Sequence, residues 1–138
     1  MLLACCRYIL ILLCISVTGC ATTYTSKGAS QLPAQQLGTL EHPDPVHGGI
    51  VIERVDGQWR GVGLITSYRL TPGRHSLGVR VNRAFSASGR VVRWFDVKPG
   101  GRYLIEAATD TAAKRWGFWI IDKETGQRVD REQAEATL

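Results

Sequence analysis

From Gly49 onward, apolar side chains recur at every second position in short runs, and turn-forming residues cut each run. A period of two places alternate residues on opposite faces of a strand, whereas a helix needs a period near 3.6. Ile50-Val51-Ile52-Glu53-Arg54-Val55 reads as a strand, and Asp56-Gly57 is a two-residue hairpin signal. Val62, Leu64, Thr66, Tyr68 and Leu70 alternate with Gly63, Ile65, Ser67 and Arg69. Pro72-Gly73 suits the centre of a type II turn, because proline fixes the first φ and glycine supplies the positive second one. His75, Leu77, Val79 and Val81 form the next inward set, with Ser76, Gly78 and Arg80 facing outward. After a loop at 82–89, a strand over 91–97 turns Phe95 and Val97 inward. Beyond Pro99-Gly100-Gly101, the residues Tyr103, Ile105 and Ala107 alternate again. Residues 116–121 are apolar on both faces, and Asp122 to Gly126 reads as a turn from which residues 127–129 pair back. The pattern predicts an all-β fold, a small antiparallel β-sandwich of about seven strands over residues 49–130. The tail 131–138 holds helix-forming residues but is too short to be stable alone.

The stretch 20–48 has a different texture. It is rich in Thr, Ser, Gly, Pro and Gln, lacks a sustained period, and carries Pro33, Pro43 and Pro45. It reads as a flexible linker with a reach of roughly 30 Å.

The first 19 residues read as a signal peptide. Arg7 precedes a run of about ten apolar residues, half of what a bilayer-spanning helix needs and the length of a signal h-region. The run ends in Val17-Thr18-Gly19-Cys20, an aliphatic residue, two small residues and a cysteine. This resembles the lipobox of bacterial lipoproteins. The resemblance implies cleavage between Gly19 and Cys20, diacylglycerol on the Cys20 sulfur and acylation, such as by palmitate, of the new amino terminus. One acyl chain binds a membrane marginally, whereas two or more anchor it stably. Ala21 follows the cysteine, which is similar to lipoproteins forwarded to the outer membrane, there facing the periplasm or the cell exterior. All four cysteines (Cys5, Cys6, Cys14 and Cys20) lie at or before this motif, so the mature chain would keep only Cys20, with its thiol lipidated, and disulfide, zinc-finger and thiol-redox readings fall away. The net charge of +5 is spread along the sequence, and nucleic acid is not an expected partner outside the cytoplasm.

Two segments repeat one device. Leu70-Thr-Pro-Gly-Arg-His-Ser-Leu-Gly-Val79 and Val97-Lys-Pro-Gly-Gly-Arg-Tyr-Leu-Ile-Glu-Ala107 share an aliphatic residue, a Pro-Gly turn, a basic residue and a ring residue that starts the next strand. With Leu70, Pro72, Gly73, His75, Leu77 and Val79, then Phe95, Val97, Pro99, Gly100 and Tyr103, the chain resembles the PEGA-like and transthyretin-like sandwich modules of bacterial surface lipoproteins. That resemblance implies a binding or structural unit without catalytic activity.

The residues themselves point the same way. Ser67, Ser76, Ser86 and Ser88 lack a nucleophile-elbow context, and the acidic residues form no close pair for acid/base work. His42, Asp44 and His47 are close in sequence, but two prolines in a linker do not fix metal geometry, and His75 reads as a core residue bonded to backbone. Asp122-Lys-Glu-Thr-Gly126 lacks the alternating oxygen ligands of a calcium loop and reads as a hairpin turn. No metal or cofactor is expected. Rings alternate along 116–119, and an exposed face carrying Trp116, Trp119 and Ile121, extended by Trp59 and Trp94, would dock a protein partner. The expectation is a membrane-anchored envelope lipoprotein that docks a protein partner. A sandwich binding a small ligand or glycan is the alternative.

Overall fold

A computed structural model describes residues 22–45, 47, 49–81, 89–110, 112–113 and 115–132, and the lipobox lies outside them. The strands are β1 (Thr23–Thr25), β2 (Gly38–Glu41), β3 (Ile50–Val55), β4 (Gln58–Trp59), β5 (Ser67–Leu70), β6 (Gly73–Val81), β7 (Val91–Val97), β8 (Arg102–Asp110), β9 (Arg115–Asp122) and β10 (Arg131–Glu132). They form two five-stranded sheets, ordered β1-β5-β2-β8-β9 and β10-β7-β6-β3-β4. The chain is therefore an all-β, sandwich-like protein. Most pairs are antiparallel, but β1 with β5 and β2 with β8 are parallel.

The inner faces meet in one core. The first sheet supplies Leu40, Tyr68, Leu70, Tyr103, Ile105, Phe118 and Ile120; the second supplies Ile50, Ile52, Val55, Leu77, Val79, Phe95 and Val97. Phe95 meets Tyr103 edge-on across the gap, with ring centroids 5.4 Å apart. An inward-facing set at every second position of each strand is what the alternating sequence demands.

The expected linker is instead part of the fold. β2 lies in the middle of its sheet between β5 and β8, and Leu40 is completely buried. Two short 3-10 helices, Ala29–Gln31 and Ala34–Gln36, carry the chain from β1 to β2. Pro33 sits just before the second of these, at its N-cap, where its missing N–H costs nothing. The folded unit thus includes β1 and β2 as well as the strands from Gly49 onward.

The turn at each Pro-Gly device does not join two neighbouring strands of one sheet. β5 and β6 belong to different sheets, as do β7 and β8, so each device is a corner that carries the chain across the sandwich. The ring that follows then bonds back to its own corner. The Tyr103 hydroxyl accepts from the Lys98 N–H at 2.8 Å and donates to the Asp96 carbonyl at 3.4 Å. His75 Nε2 lies 2.7 Å from the Thr71 carbonyl. Thr71 and Lys98 are equivalent positions of the repeat, so the two corners are stapled alike.

The run at 62–70 is a strand only from Ser67. Val62 and Leu64 are exposed, while Ile65 between them and the strand is buried. Gly61 and Gly63 both take positive φ, 90° and 113°, which breaks the extended backbone on either side of Val62. Residues expected as a tail also pair: Arg131 and Glu132 form β10 against β7.

Residues 127–132 close one open side of the sandwich. Asp122 N–H donates to the Gln127 carbonyl and Val129 N–H to the Ile120 carbonyl, both at 2.9 Å, and the chain then crosses to β7. The Asp130 carboxylate at this crossing has no exposed surface. It accepts from the Ile120 N–H at 2.8 Å, from Arg128 at 2.8 and 2.9 Å, and from Arg93 at 3.3 Å. The hydrogen bond to Asp130, with the Asp130 and Glu132 charges adding to it, raises the Arg128 guanidinium above its ordinary value. Arg93, itself nearly buried, also sits over the Phe118 ring, 5.4 Å from its centroid.

Candidate functional site

The outer face of the second sheet carries an open trough of about 600 Å3. Its floor is the central strand β6, which shows Ser76 and Gly78 there, with Arg74 of the same strand at one end. Larger side chains stand on the flanking strands, because Ser76 is opposite Trp94, and Gly78 lies between Val92 and Arg54. Small residues on a central strand between tall neighbours make a trough by geometry alone. A side chain at Gly78 would fill it, since a Cβ there would lie 2.7 Å from Arg90 Cδ and 3.3 Å from Arg54 Cβ.

A β-bulge aims Arg54 into this trough. The register of β3 against β6 shifts between Ile52 and Arg54, so Glu53 is the extra residue. Without the bulge Arg54 would face the core and Val55 the solvent; with it, Val55 is buried and Arg54 exposed. The Arg54 guanidinium donates to the Gly57 carbonyl at 2.7 Å. Arg74 and Arg90 stand at the two ends. Arg74 pairs with Asp96 at 3.3 Å, and Arg90 donates twice to Glu53 Oε2, at 2.9 and 2.8 Å.

The Asp56-Gly57 turn forms the remaining rim. Both residues have positive φ, 52° and 74°, the signature of the hairpin turn that the sequence predicts. Asp56 also clamps the turn onto β6. Its Oδ1 accepts from the Ser76 N–H at 2.9 Å, and its Oδ2 lies 2.7 Å from His75 Nδ1. Both ring nitrogens of the buried His75 therefore lie within hydrogen-bond distance of oxygen atoms, so the ring is held at both ends.

The aromatic residues singled out from sequence do not form one surface. Trp116 points inward, packs against the core and stacks near Phe118 at 6.4 Å, so it leaves the expected docking set for a physical reason, its parity with Phe118 and Ile120. Trp119 and Ile121 share the outer face of the first sheet, half-buried, beside Leu104 and Glu106. The Trp119 indole N–H donates to Glu106 at 2.8 Å. Trp94 is on the outer face of the other sheet, and Trp59, exposed, is at that sheet's β4 edge. Neither extends the Trp119 surface.

Next to Trp119 a smaller cleft of about 340 Å3 is lined by His42, Asp44, Leu104 and Glu106. His42 is buried, and its Nε2 has no hydrogen-bond partner. Burial, and then the nearby Arg60 charge, holds its pKa below the ordinary histidine range. His47 is exposed and lies beside Asp44, with Nδ1 3.4 Å from the carboxylate. Among the described residues, no three His, Cys, Asp or Glu side chains converge as ligands for a metal ion. The anionic corner of this face is Glu41, whose carboxyl is held below its usual range chiefly by a hydrogen bond from Lys123, with Arg102 adding to it.

Sequence reasoning missed the trough. Two signals could have found it: the three-residue gap between Ile52 and Val55, which breaks the period of two, and the small outward pair Ser76 and Gly78 in an otherwise bulky strand. No family model, curated protein or solved structure matches this chain. Among the described residues, no helix is long and apolar enough to cross a membrane.

Proposed function

We propose that this protein is a lipid-anchored lipoprotein of the bacterial outer membrane that acts as a non-catalytic docking module for an envelope protein. The anchor reading is supported by Val17-Thr18-Gly19-Cys20 at the end of a short apolar run. The docking reading is carried by one observation, the trough that has Trp94 on one wall and Arg54 on the other, over a floor of Ser76 and Gly78. Tryptophan and arginine dominate binding hot spots, because each offers a large contact area together with directed hydrogen-bond donors. The small floor admits a partner side chain, and Arg54, which donates to the Gly57 carbonyl rather than to a carboxylate, favours one that carries an acidic group. The PEGA-like resemblance of the two Pro-Gly corners fits a module of this kind.

A second reading rests on the same residues. Trp94 beside the Arg74–Asp96 and Arg90–Glu53 pairs would suit a glycan, with the ring as a platform and the ion pairs bonding to hydroxyls. The trough volume falls in the range of small-ligand sites, about 300–1,000 Å3.

A pull-down from crosslinked envelopes separates the readings. The Arg54→Ala, Trp94→Ala double variant loses the co-purifying protein, while Trp119→Ala keeps it. Retention of the partner by the double variant rejects the trough as the docking site. Binding of oligosaccharides by the wild-type chain, abolished by Trp94→Ala with no protein captured, favours the glycan.

A further inference from the structure

The three large apolar side chains most exposed among the described residues fall on one short stretch, the end of β4 and the loop after it: Trp59 at 64%, Val62 at 85% and Leu64 at 61% exposure. Solvent-facing apolar groups concentrated like this mark a contact surface. The loop is held in place. Arg60 donates to the Ile52 carbonyl and, at 3.0 Å, to the Gly63 carbonyl, while Ile65 is buried at the loop's far end. Gly61 and Gly63 face open space, because beyond their chain neighbours no atom lies within 4 Å of where either Cβ would be.

This loop lies at the point where the N-terminal segment enters the fold. β1 runs parallel to β5 with Thr23 opposite Ser67, the residue where the chain leaves the loop. The Thr22 carbonyl accepts from the Thr66 N–H at 2.9 Å and from the Ser67 N–H at 3.2 Å. Cys20 is two residues before Thr22, a reach of about 7 Å at full extension, and Leu64 is two residues before Thr66. The proposed lipid attachment point is thus within about 20 Å of the exposed loop. With β1 folded, no long tether intervenes.

We propose that the loop 57–64 is a membrane-contact surface, with Trp59, Val62 and Leu64 entering the bilayer interface beside the acyl chains on Cys20. The proposal rests on the reading of Cys20 as lipidated. Tryptophan favours the interfacial layer, where its ring is buried and its N–H stays hydrated. Between residues 57 and 69 the chain carries Arg60 and Arg69 and no acidic residue, which suits anionic headgroups. Covalent acyl chains would supply most of the attachment, and the loop would fix the orientation of the sandwich on the surface.

The test uses the full chain in vesicles of phosphatidylethanolamine and phosphatidylglycerol whose acyl chains are brominated, which quench only tryptophans that enter the bilayer. Acylation is read separately, by metabolic labelling with palmitate and by membrane fractionation of Cys20→Ser. Wild-type fluorescence is quenched, Trp59→Phe removes most of that quenching, and Val62→Ser with Leu64→Ser lowers it at least about twofold while the circular dichroism stays unchanged. Equal quenching of the wild type and Trp59→Phe overturns the loop proposal. If label is incorporated and Trp59 is not quenched, the loop proposal fails and the anchor stands. If no label is incorporated but Trp59 is quenched, the loop is a membrane contact and the anchor reading fails.

Discussion

Leu40→Ala tests most severely the finding that residues 23–41 are folded. Leu40 is fully buried on β2, which pairs with β5 on one side and β8 on the other. The substitution removes three carbons from the core, about 2 kcal/mol of transfer free energy at ~0.8 kcal/mol per methylene. A cavity beneath a central strand cannot collapse freely, and its cost brings the total to about 3–4 kcal/mol. For a domain of this size that lowers Tm by roughly 12–25 °C. Urea unfolding followed by circular dichroism measures the loss, with the exposed Gln36→Ala as the control that changes stability by less than about 0.5 kcal/mol. If Leu40→Ala matches the control, the segment behaves as a tether and its place in the sheet is wrong.

Other substitutions probe the corners and the closing strap. Asp130→Ala strands Arg93 and the Ile120 N–H in a buried setting; the expected loss is about 3 kcal/mol, the low end for breaking a buried pair because Arg93 keeps Glu132 at 2.9 Å, and chemical denaturation reads it. Gly38→Ala would put a Cβ 2.2 Å from Val97 Cγ1, costing about 1–3 kcal/mol, and Val97→Ala in the same chain restores part of that in a double-mutant cycle. Burial raises the Tyr68 pKa to about 12, from 10.0. Its stabilising contribution is complete below pH 10, where neither state is ionised. It is lost as pH rises toward 12, because the unfolded chain releases the proton first. Tyr68→Phe therefore shows a flatter decline in stability than wild type over that window in pH-dependent unfolding.

The parts of the fold that the sequence made legible are those where one face is apolar over several turns of the period. The runs in β7 and β8 are long enough to identify both the strand and its inward face, whereas β3 and β9 are legible only as strands, because β9 is apolar on both faces and a bulge breaks the alternation of β3. β2 offers only Gly38-Thr39-Leu40-Glu41, two alternations between proline-bearing segments, and a signal that short is indistinguishable from a loop. Its status is decided by tertiary pairing with β5 and β8, which no local pattern reveals. The same holds for the Pro-Gly corners. Their chemistry specified a change of direction, and whether the next strand joins the same sheet or the opposite one depends on which neighbours are available. Val62 and Leu64 were misplaced by counting alternation across Gly61 and Gly63, whose positive φ values end the strand register. For the site, the sequence grouped Trp116 with Trp119 and Ile121, although Trp116 shares the parity of Phe118 and Ile120 and packs inward with them; placing Arg54 on the wall across from Trp94 required the bulge at Glu53.

The two surfaces have separate consequences for how such a module would work. With the loop 57–64 on the bilayer, β4 and the start of β5 face the lipid side, and the Pro-Gly corners, stapled by His75 and Tyr103, hold the two sheets in fixed relation. A rigid sandwich of this kind would present the Trp94 trough without conformational adjustment, which lowers the entropic cost of docking. Replacing Gly78 by a larger residue would close the trough while leaving the core face of β6 intact.

The intact mass of the full-length product recovered from membranes of a lipoprotein-processing bacterium tests the central claim most directly. The account predicts a chain beginning at Cys20 whose mass exceeds that of its amino acids by a diacylglycerol and an amide-linked acyl group. A chain that retains residues 1–19, or that begins elsewhere with Cys20 unmodified, contradicts it.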